Sequence, residues 1–186
     1  FFLAALRKPE EDGEADTDLF SPKKKKSKGD TAASPVSKEN LAIAKSWLAS
    51  SDEYNLLVNG TAITAFPVYY QNDLALLRQS LRIVQAGTEV AEVKGKDLIP
   101  AHGLAMSRLL KTSVFPTEAL TYEQAIAYLR KEAIVLPPSV PKGYVLVTYK
   151  EIPLGFVKNI GNRANNLYPQ EWRIRSGYLP DDIRTL

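Results

Sequence analysis

The sequence predicts an α+β protein built from two small modules. Three observations carry that expectation. Apolar residues at helical spacing alternate irregularly with short β-prone runs, an Asn-Gly pair separates two such runs, and the pattern changes register near Val114. A regular βαβ order, which would announce a doubly wound sheet, is missing from the pattern.

In chain order, Phe1, Phe2, Leu3, Ala4, Ala5 and Leu6 form an apolar run of the kind found in a buried central strand. Residues 9–36 combine acids, lysines, Pro, Ser and Gly with almost no apolar payload, so that strand finds no neighbour there and reads as the edge of a domain that lies elsewhere. Ser37 is a helix cap, followed by Leu41, Ile43, Ala44, Trp47 and Leu48 on one face of a helix ending near Ser50. Residues 56–58 and 61–66 pair as a hairpin around Asn59 and Gly60. Asn72 and Asp73 are expected to cap a second amphipathic helix that carries Leu74, Leu76, Leu77 and Leu81. Residues 82–85 and 89–93 read as strands flanking Gly87, and 101–110 as a third helix. Thr121 caps a helix with Ala125, Ile126, Tyr128 and Leu129 facing inward, and Pro137, Pro138 and Pro141 close that unit. Residues 143–149 are strongly β-prone, and Ile152 and Pro153 turn the chain into a further strand over 154–158.

The 186 residues carry a net charge of +3, an absolute value too small to say much about partners. Its distribution says more. Glu10, Glu11, Asp12, Glu14, Asp16 and Asp18 precede a run of Lys23, Lys24, Lys25, Lys26 and Lys28. Such a block serves as a solvated linker, or as a basic arm that neutralises phosphates without sequence preference. No apolar stretch is long enough to span a bilayer, and no signal-peptide order opens the chain, so a cytoplasmic location without membrane contact is expected. With no cysteine, disulfides, thiolate metal sites and a cysteine nucleophile are excluded.

Residues suited to catalysis are scarce. His102 is the sole histidine, so neither a Ser/His/Asp set nor a histidine-rich metal site can be assembled, and its place at a helix start suits capping better than catalysis. Gly155 and Gly161 lack the spacing of a phosphate loop. Asp181 and Asp182 read as solvated surface. The informative stretch is 154–175, where Lys158, Asn159, Arg163, Asn165, Asn166, Tyr168, Trp172, Arg173 and Arg175 interleave cations, amides and rings. Cations meet phosphates, amides read base edges or ribose hydroxyls, and rings stack on unpaired bases. The same residues also suit tight turns and a core, with Trp172 in particular a candidate core aromatic. If 173–175 is a strand, Arg173 and Arg175 leave from one face.

Gly143, Tyr144, Val145, Leu146 and Val147, then Pro153, Leu154, Gly155, Phe156, Val157 and Lys158, then Asn165, Asn166, Tyr168, Pro169, Trp172 and Arg173 resemble a known pattern. It is that of the PUA-like domain closing the RsmF-type members of the Nol/Nop/Sun family of RNA 5-methylcytosine methyltransferases. The opening residues 1–8 are similar to the last strand of that family's methyltransferase core. A looser likeness at 95–105 falls in its first accessory domain. The resemblance implies four parts: a remnant core strand at 1–8, a disordered charged linker at 9–36, a first α+β accessory domain at 37–113 and a PUA-like β-barrel at 114–186.

For the parent protein the resemblance implies S-adenosylmethionine as cofactor and two cysteines in the chemistry. For this chain it implies no catalysis, no cofactor and no metal, but binding of RNA, in particular ribosomal RNA, through Lys158, Asn159, Arg163, Asn165, Asn166, Tyr168, Arg173 and Arg175. Glu151 and Glu171 partly offset that patch. The partners expected are RNA and the methyltransferase domain itself, with the chain a monomer. The alternative is a module that packs on the methyltransferase core or on another protein, which would show as an exposed apolar patch near Trp47 and Leu76.

Overall fold

The computed structural model describes residues 36–176. The strand expected at 1–8, the charged segment up to residue 35 with its lysine run, and Asp181 and Asp182 lie outside the described residues. Within the described residues the architecture is α+β, with two four-stranded sheets and four helices.

The first module opens on α1 (Lys38–Ser46), whose first turn is capped by the Ser37 hydroxyl accepting from the Asn40 amide. Strands β1 (Tyr54–Asn59) and β2 (Ala62–Pro67) form the expected hairpin. Asn59 pairs with Ala62, so Gly60 and Thr61 make the tip, and Gly60 takes the positive φ of 60° that a two-residue loop requires. After α2 (Gln71–Ser80) the chain returns as β3 (Thr88–Lys94) and β4 (Asp97–Pro100), completing an antiparallel meander in the order β1-β2-β3-β4. The short α3 (His102–Ala105) packs on β3 and reaches a strand of the second sheet.

In the second module β5 (Thr117–Ala119) leads through α4 (Tyr122–Leu129) to β6 (Gly143–Tyr149), which lies parallel to β5. Thr121 and Gln124 close a reciprocal capping box at the start of α4, as its sequence pattern suggests. β7 (Ile152–Asn159) and β8 (Ala164–Asn166) follow antiparallel, and Ile134 bridges Ala164 on the far edge of β8.

Cross-strand register gives the second sheet two faces. Val145, Val147 and Val157 join Ala125, Tyr128 and Ile134 in one core. Leu146 and its partner Phe156 point the other way and join the core of the first module, with Trp47, Ile63, Val90 and Leu104. Phe115 mediates, its ring 5.1 Å from that of Trp47 and 4.8 Å from that of Phe156. Burial of such aromatic surface couples the two modules through apolar contact.

Several local expectations are corrected. The α2 N-cap is Tyr70, without a side-chain cap bond, and Asn72 and Asp73 lie inside the first turn. Of the four leucines expected on it, Leu81 falls just past its end and only Leu74 is buried. Residues 82–85 form no strand, whereas β4 occurs at a segment where none was expected. The helix expected over 101–110 stops at Ala105. The backbone of Leu109 and Lys111 is instead bonded to Ala49 and Trp47, at 2.8 Å each, and a helix cannot keep those groups while sharing them. The β6–β7 reversal falls at Lys150 and Glu151, with φ of 49° and 66°, ahead of Ile152 and Pro153. Residues 173–175 form no strand: a 3₁₀ turn (Gln170–Trp172) ends there in irregular chain.

Candidate nucleic-acid interface

The eight residues singled out at 158–175 do not share one surface. Lys158 and Asn165 are cross-strand partners on the face of β7 and β8 that also carries Tyr144. The Lys158 ammonium donates to an Asp97 carboxylate oxygen at 2.6 Å and lies 5.5 Å from the centre of the Tyr144 ring. The bond to Asp97 raises the lysine pKa above its ordinary value. Burial raises that of the Tyr144 hydroxyl.

Asn159, one residue along, points to the opposite face and is only 5% exposed. Its amide nitrogen donates to the carbonyls of Val140 and Pro141, and its oxygen accepts from the Gly161 amide at 2.9 Å. This holds the β7–β8 turn, at which Arg163 stands exposed. Asn166 donates to the carbonyls of Tyr128 and Glu132 and accepts from the Tyr168 amide. Both side chains spend their hydrogen-bonding capacity on backbone.

Asn166 therefore ties the carboxy-terminal end of α4 to the stretch after β8. Lys131, at φ 62°, adds a bond from its ammonium to the Tyr168 carbonyl, and the Ile174 amide donates to the Leu129 carbonyl at 3.0 Å. These anchors bring Arg173 and Arg175 together after all, without a strand. The two line a hollow of about 290 Å³ with Arg130, Ile174 and Ser176, and among the described residues the carboxylate that lines it is that of Glu132. Guanidinium groups that line a common hollow are of the kind that bind a phosphate oxyanion. Arg130 was not among the expected residues. Its only sequence signal is a basic residue at a helix end, a common feature of ordinary helices.

A larger cleft of about 730 Å³ lies between the first module and the stretch around Trp172. His102 lines it. No cap bond from its side chain is present, contrary to the capping role expected. Its ring meets Tyr168 and Trp172 edge to face, at 5.1 and 5.3 Å between centres, and burial lowers its pKa. Tyr168 also leans on Tyr128 at 5.5 Å and donates to the Trp172 carbonyl, so its ring is held inside the module. Trp172 is not a core residue: it is 60% exposed. Among the described residues no group of acids and histidine gathers in the manner of a metal site, and no helix is long and apolar enough to cross a membrane.

Residues 115–174, which hold the second sheet and α4, match the family model described as the methyltransferase RsmF PUA domain. Two curated relatives named ribosomal RNA small subunit methyltransferase F are similar to the chain. That of Enterobacter sp. (strain 638) is 29% identical over 138 residues, 74% of this chain and 27% of its own. That of Shigella boydii serotype 4 (strain Sb227) is 26% identical over 186 residues, 96% of this chain and 36% of its own. The chain thus spans about a third or less of the relatives it matches. The match at 115–174 and the similarity to these two relatives agree with the resemblance drawn from 143–173.

Proposed function

We propose that the chain is the RNA-binding region of an S-adenosylmethionine-dependent ribosomal RNA (cytosine-5) methyltransferase and holds structured RNA for the catalytic domain. The observation that carries this reading is the convergence of Arg173 and Arg175 on one hollow, one residue along the chain from the exposed ring of Trp172. Guanidinium groups position a phosphate backbone, and an open aromatic ring takes an unpaired base.

Arg173 and Arg175 are the proposed phosphate contacts, in a hollow that Arg130 also lines. Arg163 and Asn165, exposed at the β7–β8 turn and on β8, extend the surface. Asn159, Asn166 and Tyr168 act on RNA indirectly, by holding the backbone that presents these groups. Lys158 contributes only when Asp97 releases it. Methyl transfer from S-adenosylmethionine is proposed for the longer protein. No step of it is derived from these residues, because the sequence contains no cysteine to act as nucleophile. A monomer working in the cytoplasm on ribosomal RNA completes the proposal.

A second reading has one observation in its favour. Leu76, Leu77 and Leu81 on and just after α2, and Tyr69 before it, are exposed, which suits packing on the methyltransferase domain. Trp47, the other residue expected in such a patch, is buried at 6%.

Residue-resolved shift mapping during titration with a ribosomal RNA stem-loop separates the two. Perturbations clustered at Arg130 and 163–175 support RNA binding by this surface. Their confinement to the lysine run at 23–28 would reduce it to nonspecific charge.

A further inference from the structure

One end of the second sheet, at the β7–β8 turn, gathers cations away from acids. Between Glu132 and Glu171 the sequence contains a single acid, Glu151. That residue sits at the β6–β7 reversal, separated from the β7–β8 turn by the eight-residue β7, about 25 Å at the usual rise of a strand. Glu132 lines the arginine hollow. From the first module Asp97 reaches Lys158, and its carboxylate is taken up in that bond. Lys142 and Arg163 remain, both exposed and neither in an ion pair among the described residues.

Asn159 brings these two together. Its amide nitrogen donates to the Val140 and Pro141 carbonyls and its oxygen accepts from the Gly161 amide, so the segment before β6 is tied to the turn after β7. The turn itself closes through the Ile160 amide, which donates to the Arg163 carbonyl at 3.0 Å. Lys142 then lies across Gly161: a Cβ at that glycine would stand 2.9 Å from Lys142 Cε and 3.5 Å from its Nζ. The bare glycine, with φ of 105°, leaves the room that the lysine stem occupies. The ammonium is thereby carried over the turn two residues from Arg163, at most about 7 Å of backbone. Two like charges held over one short turn without a counterion repel each other, and a bound anion relieves that repulsion.

We propose that the β7–β8 turn is a second phosphate-binding edge, at which Lys142 and Arg163 hold neighbouring phosphates of one RNA strand. The proposal rests on the RNA-binding reading and adds to it a site that shares no residue with the hollow of Arg173 and Arg175. Phosphate contacts fix orientation and register without reading sequence, so this edge sets how the RNA lies on the sheet and not which bases it presents.

The full chain is titrated with a ribosomal RNA stem-loop at several salt concentrations. Lys142→Gln should weaken binding at low salt and flatten the slope of log affinity against log salt by about one phosphate contact, and Lys142→Gln combined with Arg163→Gln by about two. Lys142→Arg keeps the charge and should restore the parent slope. Lys150→Gln removes an equal charge from the other end of the same strands and should leave the slope unchanged. Circular dichroism confirms that each variant is folded. A parent slope in Lys142→Gln, where Arg173→Gln flattens it, overturns the second edge and leaves the RNA reading standing. Equal flattening by Lys150→Gln also overturns it, by reducing the effect to net charge. A parent chain that binds no stem-loop overturns the RNA reading and this edge with it.

Discussion

Lys158 on β7 and Asp97 on β4 meet at 2.6 Å, so a cation of the PUA module is neutralised by the module that precedes it. The register of β7 against β6 puts Lys158 on the face of Tyr144, Leu146 and Phe156, which is the face turned to the first module. The contact is partly exposed, so it adds little to stability.

The first prediction concerns that pair. Lys158→Ala should change the dependence of RNA affinity on salt less than Arg173→Ala does, because Lys158 is already paired. Asp97→Asn frees the ammonium and should tighten RNA binding modestly at low salt. Anisotropy titrations at two ionic strengths check both, and equal slopes for the two cation removals would count against the assignment.

Gly155 is required by its surroundings. Its φ is 144°, and a Cβ there would stand 2.2 Å from the Tyr128 hydroxyl oxygen and 2.9 Å from His102 Nδ1. Gly155→Ala combines backbone strain with overpacking and should cost about 3 kcal/mol or more in urea unfolding. Tyr128→Phe removes the donor to the Phe156 carbonyl and should cost about 1 to 2 kcal/mol. A Gly155→Ala protein as stable as the parent would contradict the packing described.

Asn159 and Asn166 are expected to behave as structural residues. Asn159→Ala leaves the Val140 and Pro141 carbonyls and the Gly161 amide without partners and should cost about 2 kcal/mol of stability. Below its midpoint of unfolding the variant should retain RNA affinity within a few-fold. A large loss of affinity in a variant of unchanged stability would instead assign the amide to RNA.

The acid limb of stability should report His102. Burial holds its folded pKa below the unfolded value of about 6.5, so it contributes nothing when both states are neutral at higher pH. As pH falls below about 6.5 the unfolded state takes the proton first, and stability declines until the folded ring also protonates. His102→Gln should remove that decline. Glu89 has the opposite sign: its folded pKa is raised, so its destabilising effect is present near neutrality and disappears as pH falls through the folded pKa to the unfolded value. Glu89→Gln should therefore stabilise the protein near pH 7 and lose that advantage in acid. Denaturant titrations at several pH values measure both.

The elements read well where the signal is local. Ser37, Thr121 and the Asn59-Gly60 pair mark their helix starts and hairpin because caps and turns are made by neighbours in sequence. The helix at 101–110 failed because Leu109 and Lys111 give their backbone bonds to residues more than fifty positions earlier. The site divides in the same way. Arg173 and Arg175 stand out as cations, but their meeting with Arg130 depends on Asn166, Lys131 and Ile174 pinning the chain to the end of α4. Asn159 and Asn166 look like base readers because an amide offers the same groups to a carbonyl as to a base edge, and only the fold says which it meets. The cleft of Glu89, His102 and Trp172 joins residues far apart in the chain, so no spacing could announce it.

The central claim is that guanidinium groups of the hollow meet RNA phosphates. The most direct measurement is the slope of log affinity for a ribosomal RNA stem-loop against log salt, for the parent and for Arg173→Gln and Arg175→Gln. Each variant should weaken binding at low salt and flatten the slope by about one phosphate contact. Folded variants whose slope and affinity match those of the parent would contradict the account.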